Sequence, residues 1–373
     1  MNVTVGVGLL GCGTVGAKVA DRLARDREEI ESRSGVRYEL RAIAIRDSQK
    51  TRPDSLDRRL FVRDARSIAG DPRIDVVVEL IGGTSDAAES VERALDCRRH
   101  VVTANKDLVA TQGPRLRALA AAGGSALRFE GAVAGAIPLA RTLGEALAGD
   151  EIGSVAGVVN GTSTAILSAM ERGADFAEAL VDAQKKGYAE AEPSNDVDGT
   201  DAAHKLALIV QLSFGLAVIS PRIRRNGIAG ITRRAVDRAA ELGYCIRLVA
   251  AAVRTPAGVS AEVGPVLVPR CHEFARTTGV DNVVQVCARA AGRLVLRGDG
   301  AGGSATSSAV LGDVVTVLQG LGERRDFGAS RRRPLEPAIE VDPLFERFAS
   351  ASDALPYPRW DDAGLSVAES AFA

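Results

Sequence analysis

VTVGVGLLGCGTVGAKVADRLARD, running from Val3 to Asp26, is the stretch on which the fold turns. Val3 to Leu10 is an unbroken apolar run, the mark of a strand buried on both faces of a parallel sheet. It passes into Gly11-Cys12-Gly13-Thr14-Val15-Gly16, spaced GxGxxG, and a helical pattern follows from Gly16 to about Arg25. In such a turn the first glycine makes the tight bend and the second lets a pyrophosphate approach the backbone. The third lets the helix pack on the strand. GxGxxG alone is a weak signal and also describes a glycine-rich turn with no ligand. Here both flanking elements are present, so Gly11, Gly13, Thr14, Val15 and Gly16 are assigned to a dinucleotide site.

Tyr38 to Ile45 is the next strand. An acidic residue at its end would bond the ribose 2′-hydroxyl of NAD. The strand ends instead in Arg46-Asp47-Ser48-Gln49-Lys50. Arg46 and Lys50 suit a 2′-phosphate and favour NADP, while Asp47 leaves NAD open. Ile74 to Ile81 is a strand ending in Gly82-Gly83-Thr84, a small-residue loop suited to lie against a cofactor. A helix over Asp86 to Cys97 leads to the strand His100 to Thr103, which runs into Ala104-Asn105-Lys106. A helix around Arg115 to Ala122 and a strand over Ala126 to Glu130 continue the rhythm. This alternation predicts an α/β fold with a Rossmann-like, doubly wound parallel sheet. Ligands bind such sheets at the carboxyl ends of the strands. Lys106 lies just past one of them, where a nicotinamide belongs.

With 373 residues the chain is long enough for two or three domains. Its 46% hydrophobic and 25% charged residues are ordinary for a soluble globular protein. A formal net charge of −1 provides no field for nucleic acid or an acidic membrane. The five cysteines show no CxxC spacing and fit a reducing, cytoplasmic setting. No signal peptide is expected, and the longest apolar run, Leu206 to Ile219, is shorter than the ~18 residues of a membrane span. The three histidines share no metal-ligand spacing. Of 47 basic residues only six are lysine: Lys18, Lys50, Lys106, Lys185, Lys186 and Lys205. Arginine holds its proton near neutral pH whereas lysine can release it, so each lysine is a candidate for acid–base work.

Glu130 to Pro138 reads as a turning loop before a helix from Leu139 to Leu147. Ile152 to Val159 is a strand, and Asn160-Gly161-Thr162 caps the next helix, whose free N–H groups offer a carboxylate seat. A helix from Phe176 to Lys186 precedes GYAEAEPSNDVDG, with four carboxylates between Glu190 and Asp198. That loop is either a solvated acidic surface or a seat for an ammonium. Asp201 to Leu216 is then helical. Asp201 and Lys205 share a face four residues apart, either as a surface pair worth a few tenths of a kcal/mol or as an acid held by its partner.

At this point the chain resembles the homoserine dehydrogenase family. The resemblance rests on GLLGCGTVG, VVTANK, FEGAVAGAIP, VNGT, GYAEAEPSNDVDGTDAAHKL and GDGAGGSATSSAV, in the family's order, from the first strand to about residue 320. It implies reversible, NAD(P)-dependent reduction of L-aspartate 4-semialdehyde to L-homoserine, a step toward threonine and methionine. It makes Lys205 the proton donor, with Asp201 orienting it or bonding the substrate hydroxyl, and sets Lys106 beside nicotinamide and substrate. Two neighbouring ammonium groups would each favour proton release. Glu190 and Asp196 would hold the substrate ammonium, with Gly161 and Thr162 seating its carboxylate. Thr84, Asn105, Gly187 and Gly302 would join the cofactor contacts. Glu130, with backbone oxygens of Val133, Gly135 and Ile137, would form a structural sodium site. A homodimer through the second domain's sheet is implied, with strand candidates at Ile152 to Val159 and Gly243 to Val253.

The expected layout is a dinucleotide-binding domain over 1–130 and an α+β catalytic and dimerisation domain with an open sheet over 131–300. A return segment, 301–330, would pack on the first, and a tail over 331–373 would follow, with no amino-acid-sensing domain. The chain departs from the family pattern at Ser163-Thr164-Ala165, where the family reads roughly Thr-Asn-Tyr, and at Ser304, where proline is frequent. Those departures motivate an alternative, an oxidoreductase of the same chemistry acting on another small aldehyde or hydroxy acid. A non-catalytic dinucleotide-binding protein would not need Lys106, Lys205 and Glu190 together. An acylating aldehyde dehydrogenase is rejected, because it needs a nucleophilic cysteine at the strand ends and Cys97 falls in a helical pattern.

Overall fold

The computed structural model describes residues 4–216, 218 and 220–323; the tail expected over 331–373 lies outside them. The chain divides into two compact units, one running to residue 140 and resuming at 302, the other spanning 141–301.

The first unit starts with β1 (Val5–Leu10), α1 (Thr14–Arg25), α2 (Arg27–Ser34) and β2 (Tyr38–Ala44). β3 (Phe61–Val62), α3 (Ala65–Gly70), β4 (Val76–Glu79), α4 (Asp86–Asp96), β5 (His100–Thr103), α5 (Lys106–Gly123) and β6 (Leu127–Arg128) follow. The six strands are all parallel, in the order β3-β2-β1-β4-β5-β6. This is the doubly wound order, and it reverses direction between β1 and β4. α5 begins at Lys106, nine residues before the helix expected from sequence. Gly113-Pro114 reads as a break, but Asn105 caps the start and Leu108, Val109 and Ala110 are buried, so the helix runs through its proline.

A short helix, α6 (Leu139–Arg141), contains the division between the units, and the turns widen to π geometry over Thr142–Ala146. The second unit holds β7 (Ile152–Val158), α7 (Gly161–Glu171), α8 (Phe176–Lys185), α9 (Ser194–Val197) and α10 (Thr200–Phe214). Then come β8 (Arg224–Arg225), α11 (Arg233–Glu241), β9 (Tyr244–Thr255), β10 (Gly258–Pro269), β11 (Asp281–Ala288) and β12 (Gly292–Asp299). Its sheet is mixed, in the order β12-β11-β7-β9-β10-β8, antiparallel except where β10 meets β8. α10 lies against β7, β9 and β10.

The last helix, α12 (Gly303–Glu323), returns to the first unit and packs on α1 and α2. Its Val310, Val314 and Leu318 join Leu9, Val76, Val78 and Val102 in one core. Val77 and Val101 point to the opposite face, into a second core with Val91, Leu95, Leu108 and Leu116. Both faces of the sheet are therefore dry, which is why its strands read as continuous apolar runs.

Candidate active site

In the first unit the three glycines of GxGxxG have different reasons to be glycine. Gly11 takes φ +98°, and a Cβ there would lie 2.6 Å from the Leu80 carbonyl oxygen. A Cβ on Gly16 would lie 2.1 Å from the Gly11 carbonyl oxygen. Gly13 has an ordinary φ of −85°, and a Cβ there would meet nothing within 4 Å. The chain itself therefore does not require glycine at that position, which fits a backbone kept bare for a pyrophosphate. α1 has no side-chain cap and no acidic residue in its first turn, so its N-terminus is suited to an anion. The start of α12 lies beside it. A Cβ on Gly303 would be 3.0 Å from Thr14 Cγ2, and Lys18 Nζ donates to Ser304 Oγ at 2.6 Å. Ser304 thus gives α1 a hydrogen bond that a proline there could not. Gly302 takes φ +110° with open space around it.

Past the end of β2 a cavity of about 240 Å³ is lined by Lys50, Arg52, Arg58 and Arg63 together with Ile45, Phe61 and other residues. The Arg52 guanidinium donates to the Asp47 carbonyl at 2.6 Å and the Lys50 carbonyl at 2.8 Å, and lies 5.5 Å from the Phe61 ring centre. Burial pushes the Cys12 thiol up while the Arg52 guanidinium beside it pulls the other way, so Arg52 also reaches the glycine-rich turn. Arg46 is exposed on the same loop. Arg52, Arg58 and Arg63 escaped the sequence reading, which stopped at Lys50. The signal was there in the density of arginines after β2.

Glu79 was also missed. It is fully buried at the end of β4, where its Oε1 accepts from the Ile81 and Gly82 backbone N–H groups at 2.8 and 3.1 Å. Its Oε2 accepts from the Thr103 hydroxyl at 2.5 Å, and Thr103 Oγ1 accepts in turn from Asn105 N. Asn105 donates to the Gly83 carbonyl at 2.6 Å and caps α5 through Leu108 N. One carboxylate thus orders both loops that the sequence marked, Gly82-Gly83-Thr84 and Ala104-Asn105-Lys106. A charge inside an apolar strand was the clue. Lys106 takes the first turn of α5, where a cation opposes the helix dipole by ~0.3–1 kcal/mol; helix stability does not account for it.

Glu130 is buried in a short turn, its N–H donating to Asp313 Oδ2 at 2.7 Å and its Oε1 accepting from Ala140 N at 2.7 Å. The loop after it holds Ala134 and Gly135 in left-handed backbone, both at φ 58°. A non-glycine residue rarely takes that conformation, so the loop is under strain. Among the described residues no cluster of three or more His, Cys, Asp or Glu could hold a metal, so a cation here would rely on backbone oxygens.

In the second unit β7 delivers Val159 and Asn160 to the start of α7, and α10 opens with Asp201 and Lys205. Lys205 Nζ lies 2.8 Å from Asp201 Oδ2 and donates to the Val159 carbonyl at 2.6 Å. The side chains of Lys205 and Asp201 are only 13% and 8% exposed, so this is not a solvated surface pair. Asn160 Nδ2 donates to Asp196 Oδ1 at 2.6 Å and to Asp201 Oδ2 at 2.9 Å. The Thr162 hydroxyl shares its proton between the Tyr188 carbonyl at 2.6 Å and Asp196 Oδ2 at 3.1 Å. The structure therefore brings together Lys205, Asp201, Asp196, Thr162 and Asn160, the last unsuspected beyond its capping role. Gly161 begins α7. Glu190 is exposed on the acidic loop, its carbonyl accepting from Gln184 Nε2 at 3.2 Å. Gly187 ends α8 at φ +73°, the left-handed turn common after a helix.

Two family models match the chain: "Homoserine dehydrogenase, NAD binding domain" over residues 11–130 and "Homoserine dehydrogenase" over 138–315. The homoserine dehydrogenase of Corynebacterium glutamicum is 42% identical over 317 residues, spanning 83% of this chain and 71% of that one. The chain belongs to the homoserine dehydrogenase family. The Neisseria gonorrhoeae homoserine dehydrogenase is 40% identical over 316 residues, 84% of this chain and 72% of its own length. The crystal structure of a homoserine dehydrogenase from Thiobacillus denitrificans superposes with a TM-score of 0.84 at 38% identity, covering 92% of this chain and 80% of that one. A hyperthermophilic archaeal homoserine dehydrogenase in complex with NADPH has a TM-score of 0.70 at 23% identity, covering 84% and 98%, and shares the fold.

As a member of the homoserine dehydrogenase family the chain is an oxidoreductase with a dinucleotide-binding domain and a small-molecule substrate. Its departures from the family pattern at Ser163 and Thr164 are internal. Both side chains are buried and donate to the Asn160 carbonyl at 3.0 and 2.9 Å. Ala165 is half-buried. Among the described residues no helix is long and apolar enough to cross a membrane.

Proposed function

We propose that the chain interconverts L-aspartate 4-semialdehyde and L-homoserine with NADP(H) in preference to NAD(H), and that Lys205 is its proton donor. The carrying observation is the Lys205 ammonium, fixed by Asp201 at 2.8 Å and the Val159 carbonyl at 2.6 Å. An ammonium has three N–H donors. Two are engaged by these acceptors, leaving the third for the substrate oxygen. When bound, the dinucleotide supplies the hydride that turns the aldehyde into an alkoxide. Lys205 stabilises the charge developing on that oxygen and then protonates it. Asp201 keeps the ammonium aimed. In the oxidative direction Lys205 takes the proton back.

Asp196, Glu190, Gly161 and Thr162 are assigned to the substrate's amino-acid end, the carboxylates to its ammonium and the α7 start to its carboxylate. Gly11, Gly13, Thr14, Val15, Gly16, Thr84, Asn105, Gly187 and Gly302 are assigned to the cofactor, with Lys106 on the nicotinamide side. Arg46, Lys50 and the basic cavity beyond β2 support the 2′-phosphate, and hence NADP. A structural sodium ion is assigned to Glu130 and the oxygens of Val133, Gly135 and Ile137, as hard ligands suit it. We place the enzyme in the cytoplasm, as a homodimer, in the biosynthesis of threonine and methionine. Because Ser163 and Thr164 turn inward, they give no support to a different substrate.

The test is reduction of NADP⁺ and NAD⁺ by L-homoserine at alkaline pH, side by side. The expected result is turnover with both nucleotides or with NADP⁺ alone, with kcat/KM at least ~10-fold higher for NADP⁺, about 1.4 kcal/mol. A preference for NAD⁺ would remove the 2′-phosphate assignment. No turnover with either, despite nucleotide binding, would remove the substrate.

A further inference from the structure

Asn160 is 97% buried at the junction of β7 and α7, and every polar atom of its side chain is engaged, as is its carbonyl. Oδ1 accepts from the Ser163 backbone N–H at 2.8 Å, which fixes the orientation of the carboxamide. Nδ2 then faces two groups that can only accept, Asp196 Oδ1 at 2.6 Å and Asp201 Oδ2 at 2.9 Å. Asp201 Oδ2 is also the oxygen that meets Lys205 Nζ. The backbone at Asn160 is equally constrained, because its carbonyl accepts from the Ser163 and Thr164 hydroxyls and the Thr164 N–H. Those two hydroxyl-bearing residues are where this chain departs from the family pattern.

We infer that Asn160 is a positioning residue that sets the spacing between the two ends of the substrate. The inference rests on the roles proposed above for Asp196 and Lys205. One amide nitrogen joins the carboxylate assigned to the substrate ammonium to the carboxylate that aims the proton donor. Without that donor, two carboxylates that approach one nitrogen would face each other with only repulsion between them. Asp196 would move away from the substrate ammonium, and Asp201 would lose the Asn160 hydrogen bond that helps hold its Oδ2 against Lys205. A lost N-cap alone would loosen α7 and lower stability. A lost bridge alters substrate affinity and turnover together, even in a protein that is stably folded.

Asn160→Ser separates the two roles, since serine is a competent N-cap but is too short to span both carboxylates. Asn160→Asp retains the size and the cap, and sets a third carboxylate against the other two. Wild type and both variants are compared for NADP⁺ reduction by L-homoserine, for thermal midpoint and for NADP⁺ affinity by fluorescence titration. The expected result for Asn160→Ser is a KM for L-homoserine raised and a kcat lowered, each about tenfold or more, with thermal midpoint and NADP⁺ affinity retained. Asn160→Asp should lose more kcat/KM than Asn160→Ser. Should Asn160→Ser fail to fold, Asn160→Asp carries the comparison. A folded variant whose KM and kcat both stay close to wild type would overturn the inference and leave the proposed function standing. Wild type inactive on L-homoserine would overturn the function, and this inference with it.

Discussion

Gly13 and Gly16 are two residues of one turn that answer to different demands. Gly16 is pressed against the Gly11 carbonyl, so Gly16→Ala should cost ~1–3 kcal/mol of stability through overpacking. Gly13 has empty space around its Cα, so Gly13→Ala should cost less than about 1 kcal/mol, the scale of a helix-capping change. Its cost should appear instead as a weaker NADP⁺ affinity, by about tenfold or more. Urea unfolding and a fluorescence titration on both variants check this, and equal loss of stability would refute it. His100 makes a separate prediction. Burial lowers its pKa from the ordinary 6.5, and its Nδ1 accepts from Ala126 N at 3.0 Å. The unfolded chain therefore binds the proton more readily than the folded one. The stability due to neutral His100 is complete above pH 6.5 and is lost as pH falls toward the lowered folded value. His100→Asn retains an acceptor without titrating, so it should flatten the fall in unfolding free energy below pH 6.5, read from denaturant curves.

The carboxyl ends of β4 and β5 depend on Glu79 as their common anchor. Glu79→Ala would leave the buried Thr103 hydroxyl and the half-buried Ile81 N–H unpaired, at ~1–3 kcal/mol each, and release the exposed Gly82 N–H to water. The expected outcome is a protein destabilised by several kcal/mol to urea, with a raised KM for the dinucleotide; an unchanged KM would detach the network from the cofactor loops. Elements with a continuous apolar run or a strong cap were legible in the sequence: β1, β5 and the Asn160 cap of α7 stand where the residues said. Others were hidden by local signals. Gly113-Pro114 concealed the first half of α5, and the two residues of β3 are too few to show a period. β10, β11 and β12 went unread for two reasons: β10 and β11 are buried along nearly their whole length and show no alternation, and β12 is largely exposed with no apolar run to mark it. Of the site, Glu79 and Arg52 were missed for want of a motif of their own, and Asn160 was read only as a cap. Glu79, Arg52 and Asn160 each also reach a partner far away in sequence, Thr103, Cys12 and Asp201 respectively, which no local pattern announces.

At the scale of the molecule each unit carries its own half of the chemistry, the first with the glycine-rich turn and basic cavity, the second with the Lys205 pair. The resemblance of the six motifs covered both, so family and reaction were legible while the hydrogen-bond networks behind them were not. The proposed homodimer is checked by light scattering. The expected mass is twice the 38.9 kDa of the chain, and a single-chain mass at all concentrations would refute it. The most direct test of the account is L-homoserine oxidation by wild type and Lys205→Ala, with NADP⁺ affinity and circular dichroism measured on both. Lys205→Ala should fold, bind NADP⁺ with unchanged affinity and turn over more slowly by ~10² or more. A folded variant that turns over at close to the wild-type rate would contradict it.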